Sequence, residues 1–233
     1  MRVMARWQVE LRGDEADLEL LVTLFKSADD EIVRDGDSIL LESLELESLE
    51  HSSDVYGAAK DIVTRINGAT RLQQRNFKNV TIGSVHEQKA DGTKATNVFV
   101  EAATIEVHPV VFPAAIVGGA TSEPVASPAS RFAKAAARDR DAQEALDLWA
   151  NEPHNWVNLY KVYEIVRARS GLGASGISTN ELSRFTHTAN HEKGGGRGAR
   201  HARRGTDPPK DPMPEREADD LVSRLLEAWL LSL

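Results

Sequence analysis

Between Ser178 and Arg204 the chain reads STNELSRFTHTANHEKGGGRGARHARR, and within it Arg184 to Arg204 holds three histidines and five arginines in 21 residues. A helix carried through to the glycines places Arg184, His187 and His191 at i, i+3 and i+7 on one face, with Leu182, Phe185 and Ala189 opposite. Metal-independent RNA cleavage needs such groups. One neutral imidazole takes the proton of a ribose 2′-hydroxyl, a second protonates the leaving oxygen, and a guanidinium holds the phosphate through two hydrogen bonds. Arg184, His187, His191, Arg197, Arg200 and His201 are the residues available for that chemistry. Because the shared face lies opposite the apolar stripe, substitutions on it are expected to leave stability nearly unchanged.

The same residues permit two other readings. His187 and His191, at i and i+4, are spaced to grip one metal ion, with His201 brought back by the Gly194–Gly196 loop as a third ligand. The stretch contains no aspartate and Glu192 would point off the face, so no metal is expected and no cofactor is implied. Alternatively the face is simply solvated, and the glycines form a helix C-cap and loop. Residues 193–204 carry five basic side chains, Lys193, Arg197, Arg200, Arg203 and Arg204, and no acidic one. That run is the candidate contact for a nucleic-acid backbone.

With these residues in view, the C-terminal half resembles the HEPN class of helical domains, found in toxin and abortive-infection nucleases. The family motif is an arginine followed, after four to six residues, by a histidine; here it is Arg184 to His191, RFTHTANH, with Phe185 where the family usually has a polar residue. The resemblance implies that Arg184 holds phosphate and that His191 is the acid/base, with Asn190 and His187 in support. It also implies a homodimer that completes the cleft, and a place in a bacterial stress or phage-defence response.

Composition sets the frame for these side chains. The 233 residues are 41% hydrophobic with a net charge of −8, and the charge is uneven: residues 1–110 hold 20 acidic and 12 basic groups, residues 111–233 hold 16 of each. An acidic N-terminal half is a poor partner for a phosphate backbone, which leaves RNA to the C-terminal half and a partner protein to residues 1–112. There is no cysteine, so disulfides and thiolate metal sites are excluded. No apolar run approaches the roughly 20 residues of a membrane span and no signal peptide is legible, so a cytoplasmic protein with no membrane partner is expected.

The elements fall into two groups. Ala5, Trp7, Val9 and Leu11 alternate with polar residues as a strand; Asp14 caps a helix whose stripe is Leu18, Leu21, Val22 and Phe25. A hairpin follows, turning at Asp35-Gly36, and the LESLELESLE run reads as its second strand, with Leu44 and Leu46 inward and Glu45 and Glu47 outward. A helix from Ser53-Asp54 is expected to end at Asn67-Gly68. Two strands, Val80–Val85 and Asn97–Val107, then pair across Asp91-Gly92, the second with a bulge. This β-α-β-β-α-β-β order predicts an α+β antiparallel sandwich of ferredoxin-like order over 1–112. His51, His86 and His108 stand isolated in it, and no role in a site is expected of them.

Residues 113–130 are rich in Ala, Pro, Gly and Ser and read as a linker. Over 131–233 every element is helical and a bundle is expected. Its parts are one long helix from 129 to 150, a second from 154 to 169 with a Trp156, Leu159, Tyr160, Tyr163, Val166 stripe, the motif helix opened by a Ser178/Glu181 capping box, and a last helix after Pro214. The leading expectation is an RNA-binding or ribonuclease-type protein. Its rival is a non-enzymatic regulatory or adaptor protein in which the His/Arg cluster is structural.

Overall fold

The computed structural model describes residues 5–26, 29–89, 93–99, 126–170, 176–191 and 207–233. Strand β1 (Trp7–Arg12) buries Trp7, Val9 and Leu11 on one face, as its alternation predicts. Asp14 caps α1 (Glu15–Leu24), its carboxylate accepting the Ala16 N–H at 3.1 Å, and Leu21 and Phe25 enter the core. Strands β2 (Asp30–Asp35) and β3 (Ser38–Ser43) form a hairpin whose tight turn needs a positive φ, which Gly36 takes at 60°.

The expected strand through LESLELESLE stops at Ser43. The Ser43 hydroxyl donates to Asp30 at 2.6 Å and accepts from the Glu45 N–H at 3.2 Å, so it acts as a helix cap. A single turn, α2 (Leu44–Glu47), follows, and Leu44 is 73% exposed while Leu46 is buried. The period changes from two to 3.6 at the cap, so Leu44 is not an inward residue.

A longer helix, α3 (Ser52–Gln73), leads to β4 (Thr81–Gln88), which pairs with β5 (Lys94–Val98). The sheet order is β2-β3-β1-β4-β5 with every pairing antiparallel, and the β1–β4 register slips between Val9 and Leu11. Each crossover therefore skips one position, with β3 between β1 and β2 and β1 between β3 and β4. The bulge expected within 98–107 and the turn at 91–92 lie outside the described residues, as does His108.

Asn67-Gly68 does not end α3; the helix continues to Gln73. Asn67, 5% exposed, donates its side-chain amide to the Val80 carbonyl at 2.9 Å and accepts the Val80 N–H at 3.0 Å, mimicking a strand neighbour for the residue that precedes β4. Gly68 serves close packing: a Cβ there would press on the Leu146 carbonyl and lie 2.8 Å from the Leu146 Cβ. Turn-type residues are thus used inside a helix for contacts on its two sides.

The helix expected over 129–150 is two, α4 (Pro128–Ala136) and α5 (Arg140–Asn151). Asp139 breaks it by taking the N–H groups of Asp141 at 2.9 Å and Ala142 at 3.0 Å as the cap of α5. Ser127 caps α4 and donates to the Leu24 carbonyl at 2.6 Å, which ties the end of the expected linker to α1. Residues 113–125 lie outside the described residues. Helices α6 (Trp156–Ser170), α7 (Thr179–Asn190) and α8 (Glu215–Leu230) complete the elements among the described residues. Trp149, Trp156, Leu159, Tyr160, Tyr163, Val166, Leu225 and Trp229 are all buried, as their stripes predict.

The fold is thus mixed, a five-stranded antiparallel sheet followed by helices. Helix α3 has the sheet on one side and α4 and α5 on the other, and the apolar core is one cluster that reaches from Trp7 to Leu230. At the end of α5 the Ala150 carbonyl accepts from Arg71 at 2.6 Å and from Asn79 at 3.0 Å, so groups from the first half of the chain cap a helix of the second. No helix among the described residues is long and apolar enough to cross a membrane.

Two glycines of α3 make this packing testable. A Cβ on Gly57 meets nothing within 4 Å, whereas one on Gly68 meets α5. Gly57→Ala should raise unfolding stability by about 0.5–1 kcal/mol through helix propensity. Gly68→Ala should lower it by about 1–3 kcal/mol through overpacking. Urea titrations of the two variants are expected to move in opposite directions.

Candidate functional site

Helix α7 begins at the predicted capping box, with the Ser178 hydroxyl accepting the Glu181 N–H at 3.2 Å and the Glu181 carboxylate accepting the Ser178 N–H at 3.0 Å. Its inner stripe, Phe185, Thr188 and Ala189, is buried. Phe185 stacks on Tyr160 at 5.8 Å and meets Tyr163 edge-on at 5.3 Å, which sets α7 against α6. The helix ends at Asn190, one residue earlier than an i+7 face requires. His191 is the cap residue, with extended backbone at φ −115° and ψ 128°. It turns into the structure, only 6% exposed, rather than onto a solvated helix face.

Between α6 and α7 lies an open groove of about 630 Å³. His187, Asn190 and His191 line it from α7, together with Thr179, Leu182, Ser183 and Thr186. From α6 it is lined by Tyr160, Tyr163 and Arg167. No carboxylate is among these ten residues. The His187 and His191 rings are 6.1 Å apart and nearly perpendicular, at 83°. Nε2 of His187 lies 3.0 Å from the Asp207 carbonyl, which can only accept, so the neutral ring carries its proton on Nε2 and presents Nδ1 as the basic nitrogen. The Asn190 amide donates to the Thr186 carbonyl at 2.8 Å and to the Tyr160 hydroxyl at 3.3 Å, which holds it at the wall of the groove. Burial pushes the Tyr163 phenol above its ordinary range, against the positive charge of Arg167, which pulls it down.

Arg184 is not part of the groove. Its Nε donates to the Asp211 carbonyl at 3.0 Å and pairs with the Asp211 carboxylate at 2.9 Å, and its NH1 pairs with Glu217. The expectation that it shares a face with His187 and His191 fails because the carboxylates at 211 and 217 draw the guanidinium toward the start of α8. The peptide N–H of Met213 donates to the Thr188 hydroxyl at 3.0 Å, and that hydroxyl donates to the Arg184 carbonyl at 2.8 Å. Arg184 therefore fastens residues 211–217 to α7. The expected Lys193, Arg197, Arg200, His201, Arg203 and Arg204 lie outside the described residues.

Sequence reasoning missed Arg167. The signal was there, since Tyr160, Tyr163 and Arg167 stand at i, i+3 and i+7, the spacing singled out in the motif helix, but the tyrosines read as core and ended the inspection of that face. His154 was missed too. Its Nδ1 lies 2.7 Å from Asp219, its Nε2 lies 3.0 Å from the Trp149 carbonyl, and Arg75 pairs with Asp219 at 2.8 Å. With both ring nitrogens engaged, His154 ties α8 to the α5–α6 connection and has no nitrogen to offer a substrate. His86 shares a hydrogen bond of 2.9 Å with Thr96, and burial lowers its pKa. Among the described residues no group of three or more His, Cys, Asp or Glu side chains could hold a metal ion. Compared with protein-family models, curated proteins and solved structures, the chain matches none.

Two outcomes follow from the engagement of α7. Arg184→Ala should cost about 1–2 kcal/mol in thermal or urea unfolding, between the worth of an exposed ion pair and that of a charged hydrogen bond out of water. The capping box should be acid-sensitive. The Ser178 N–H, the Arg224 guanidinium and the Ser178 hydroxyl hold the Glu181 pKa at about 2, below the ordinary glutamate range. A depressed folded-state pKa stabilises fully above the unfolded value and is lost as pH falls through the folded one. Between pH 5 and pH 2 the melting temperature of Glu181→Gln should therefore fall less steeply than that of the parent chain.

Proposed function

We propose that the groove between α6 and α7 binds a phosphodiester of single-stranded RNA and cleaves it without a metal, His187 acting as general base and His191 as general acid. The observation that carries this reading is the lining of the groove, two imidazoles 6.1 Å apart among hydroxyls, an amide and a guanidinium, with no carboxylate to repel an anion. Hydrogen bonds of about 2.7–3.0 Å from two rings whose centres lie 6.1 Å apart are the kind of span that can serve different oxygens around one phosphorus. In the reaction, Nδ1 of His187 takes the 2′-hydroxyl proton and the 2′-oxygen attacks phosphorus. The bond from phosphorus to the 5′-oxygen breaks, and the leaving oxygen takes a proton from His191, giving a 2′,3′-cyclic phosphate and a 5′-hydroxyl. The Asp207 carbonyl fixes the proton of His187 on Nε2, so Nδ1 is ready to accept.

Of the residues that the HEPN resemblance implies, His187, Asn190 and His191 line one groove, whereas Arg184 is held by Asp211 and Glu217. That engagement favours the second reading, a non-enzymatic adaptor whose cluster is structural. The strand order supports the finer reading of the first half as a ferredoxin-like sandwich with an added edge strand, suited to a protein partner.

Cleavage of a fluorogenic single-stranded oligoribonucleotide decides between the two readings. His187→Ala and His191→Ala are each expected to lower the rate by about 10²–10⁴. Activity should persist in chelator, since the acid and base are imidazoles. No cleavage by the parent chain, or parent-like rates for both variants, overturns the nuclease reading.

A further inference from the structure

We propose that Arg167 is the residue that holds the phosphate in this groove and that the Tyr163 hydroxyl positions it; the inference rests on the phosphodiester reading above. Arg167 stands in the last turn of α6, is exposed, and lines the groove opposite His187 and His191. It is seven residues beyond Tyr160 and four beyond Tyr163, so the three share one face of the helix. Tyr163 is 3% exposed and locked between Tyr160 and Phe185, which makes its hydroxyl a fixed point, and it lines the groove one helical turn before Arg167. A guanidinium has five N–H donors in a rigid fork, so a bond to the phenol leaves a pair for two phosphate oxygens.

The neighbouring arginines are differently placed. Arg169 pairs with Asp139 at 3.1 Å and with Asp141 at 2.8 Å, and Arg184 pairs with Asp211 and Glu217. Among the described residues no carboxylate is found in an ion pair with Arg167. An anion entering the groove thus meets a guanidinium with no carboxylate beside it in the lining, across from the two imidazoles that the reaction needs.

A 5′-labelled single-stranded oligonucleotide with 2′-O-methyl riboses separates binding from cleavage, because its attacking oxygen carries no proton. Measured by fluorescence anisotropy, Arg167→Ala is expected to weaken binding at least tenfold, and to flatten the slope of log affinity against log salt by about 0.7, the value for one phosphate contact on a single strand. Arg167→Lys should fall between, because it keeps the charge and loses the fork. Tyr163→Phe should raise KM several-fold on the cleavable oligonucleotide with kcat unchanged, a split that a loss of folding would not give. Arg169→Ala is the control and should bind as the parent does. Binding by Arg167→Ala equal to the parent's overturns the inference. It does so without touching the nuclease reading if His187→Ala still abolishes cleavage. An absence of binding by the parent chain itself overturns both.

Discussion

The described elements are arranged around the double-sided burial of α3. A helix covered by a sheet on one side and by two helices on the other must have a narrow back, and Gly68 provides it where the backbone of α5 passes at Leu146. Asn67, one residue earlier, faces the other way and holds Val80 by two hydrogen bonds. Adjacent positions thus bind the two layers to the same turn of helix. Ala59, Ile62, Ile66 and Ala69 are small or branched and fully buried, which lets both layers approach. Once α5 is seated, Arg71 and Asn79 close the Ala150 carbonyl in its last turn, His154 joins its end to α8 through Asp219, and the position of α6 follows.

Charge is distributed by the same logic. Arg65 points from α3 into the sheet edge, nearly buried, and meets Glu45 at 2.7 Å and Asp30 at 3.7 Å. Desolvation raises the Asp30 pKa while the Ser43 hydroxyl and Arg65 lower it, so this cluster is held by geometry against a cost of burial rather than by a clear electrostatic gain. On the helical side the acidic groups stand near arginines that fasten elements together: Asp139 and Asp141 with Arg169, Asp219 and Asp220 with Arg75, Asp211 and Glu217 with Arg184. The groove lining contains none of these carboxylates. In a chain of net charge −8 this arrangement keeps those negative side chains out of the lining.

Patterns of period two and 3.6 are legible wherever a segment meets one neighbour. β1, α1, α6 and α8 show the stripes that the sequence predicts, α7 buries Phe185 and Ala189 while Leu182 of its expected stripe lines the groove beside His187, and the Ser178/Glu181 box marks a real helix start because both of its bonds are local. Misreadings arise where a polar or flexible residue has a distant partner. Asn67-Gly68 looks like a helix end in isolation and becomes helix interior once Val80 and Leu146 are beside it. Ser43 looks like a strand residue until Asp30 and Glu45 use both roles of its hydroxyl. Arg184 belongs to the same class. Its side chain goes to carboxylates 27 and 33 residues further on, and no helical wheel contains them.

The site itself depends on a segment rather than on a single side chain. His187 is oriented by the Asp207 carbonyl, and Asp207 begins the stretch that Arg184 fastens at Asp211, Pro212 and Glu217 and that Thr188 holds at Met213. Arg184 and His187 are thus coupled through the backbone of 207–217 although the guanidinium is outside the groove. Loss of Arg184 would loosen the carbonyl that keeps the His187 proton on Nε2, and the tautomer protonated on Nδ1, which presents the wrong nitrogen, would gain population. An activity defect on replacing Arg184 would look like loss of a phosphate-holding group, so activity alone would mislead. Its physical signature is a paired loss of stability, because the same bonds that orient His187 join α7 to α8.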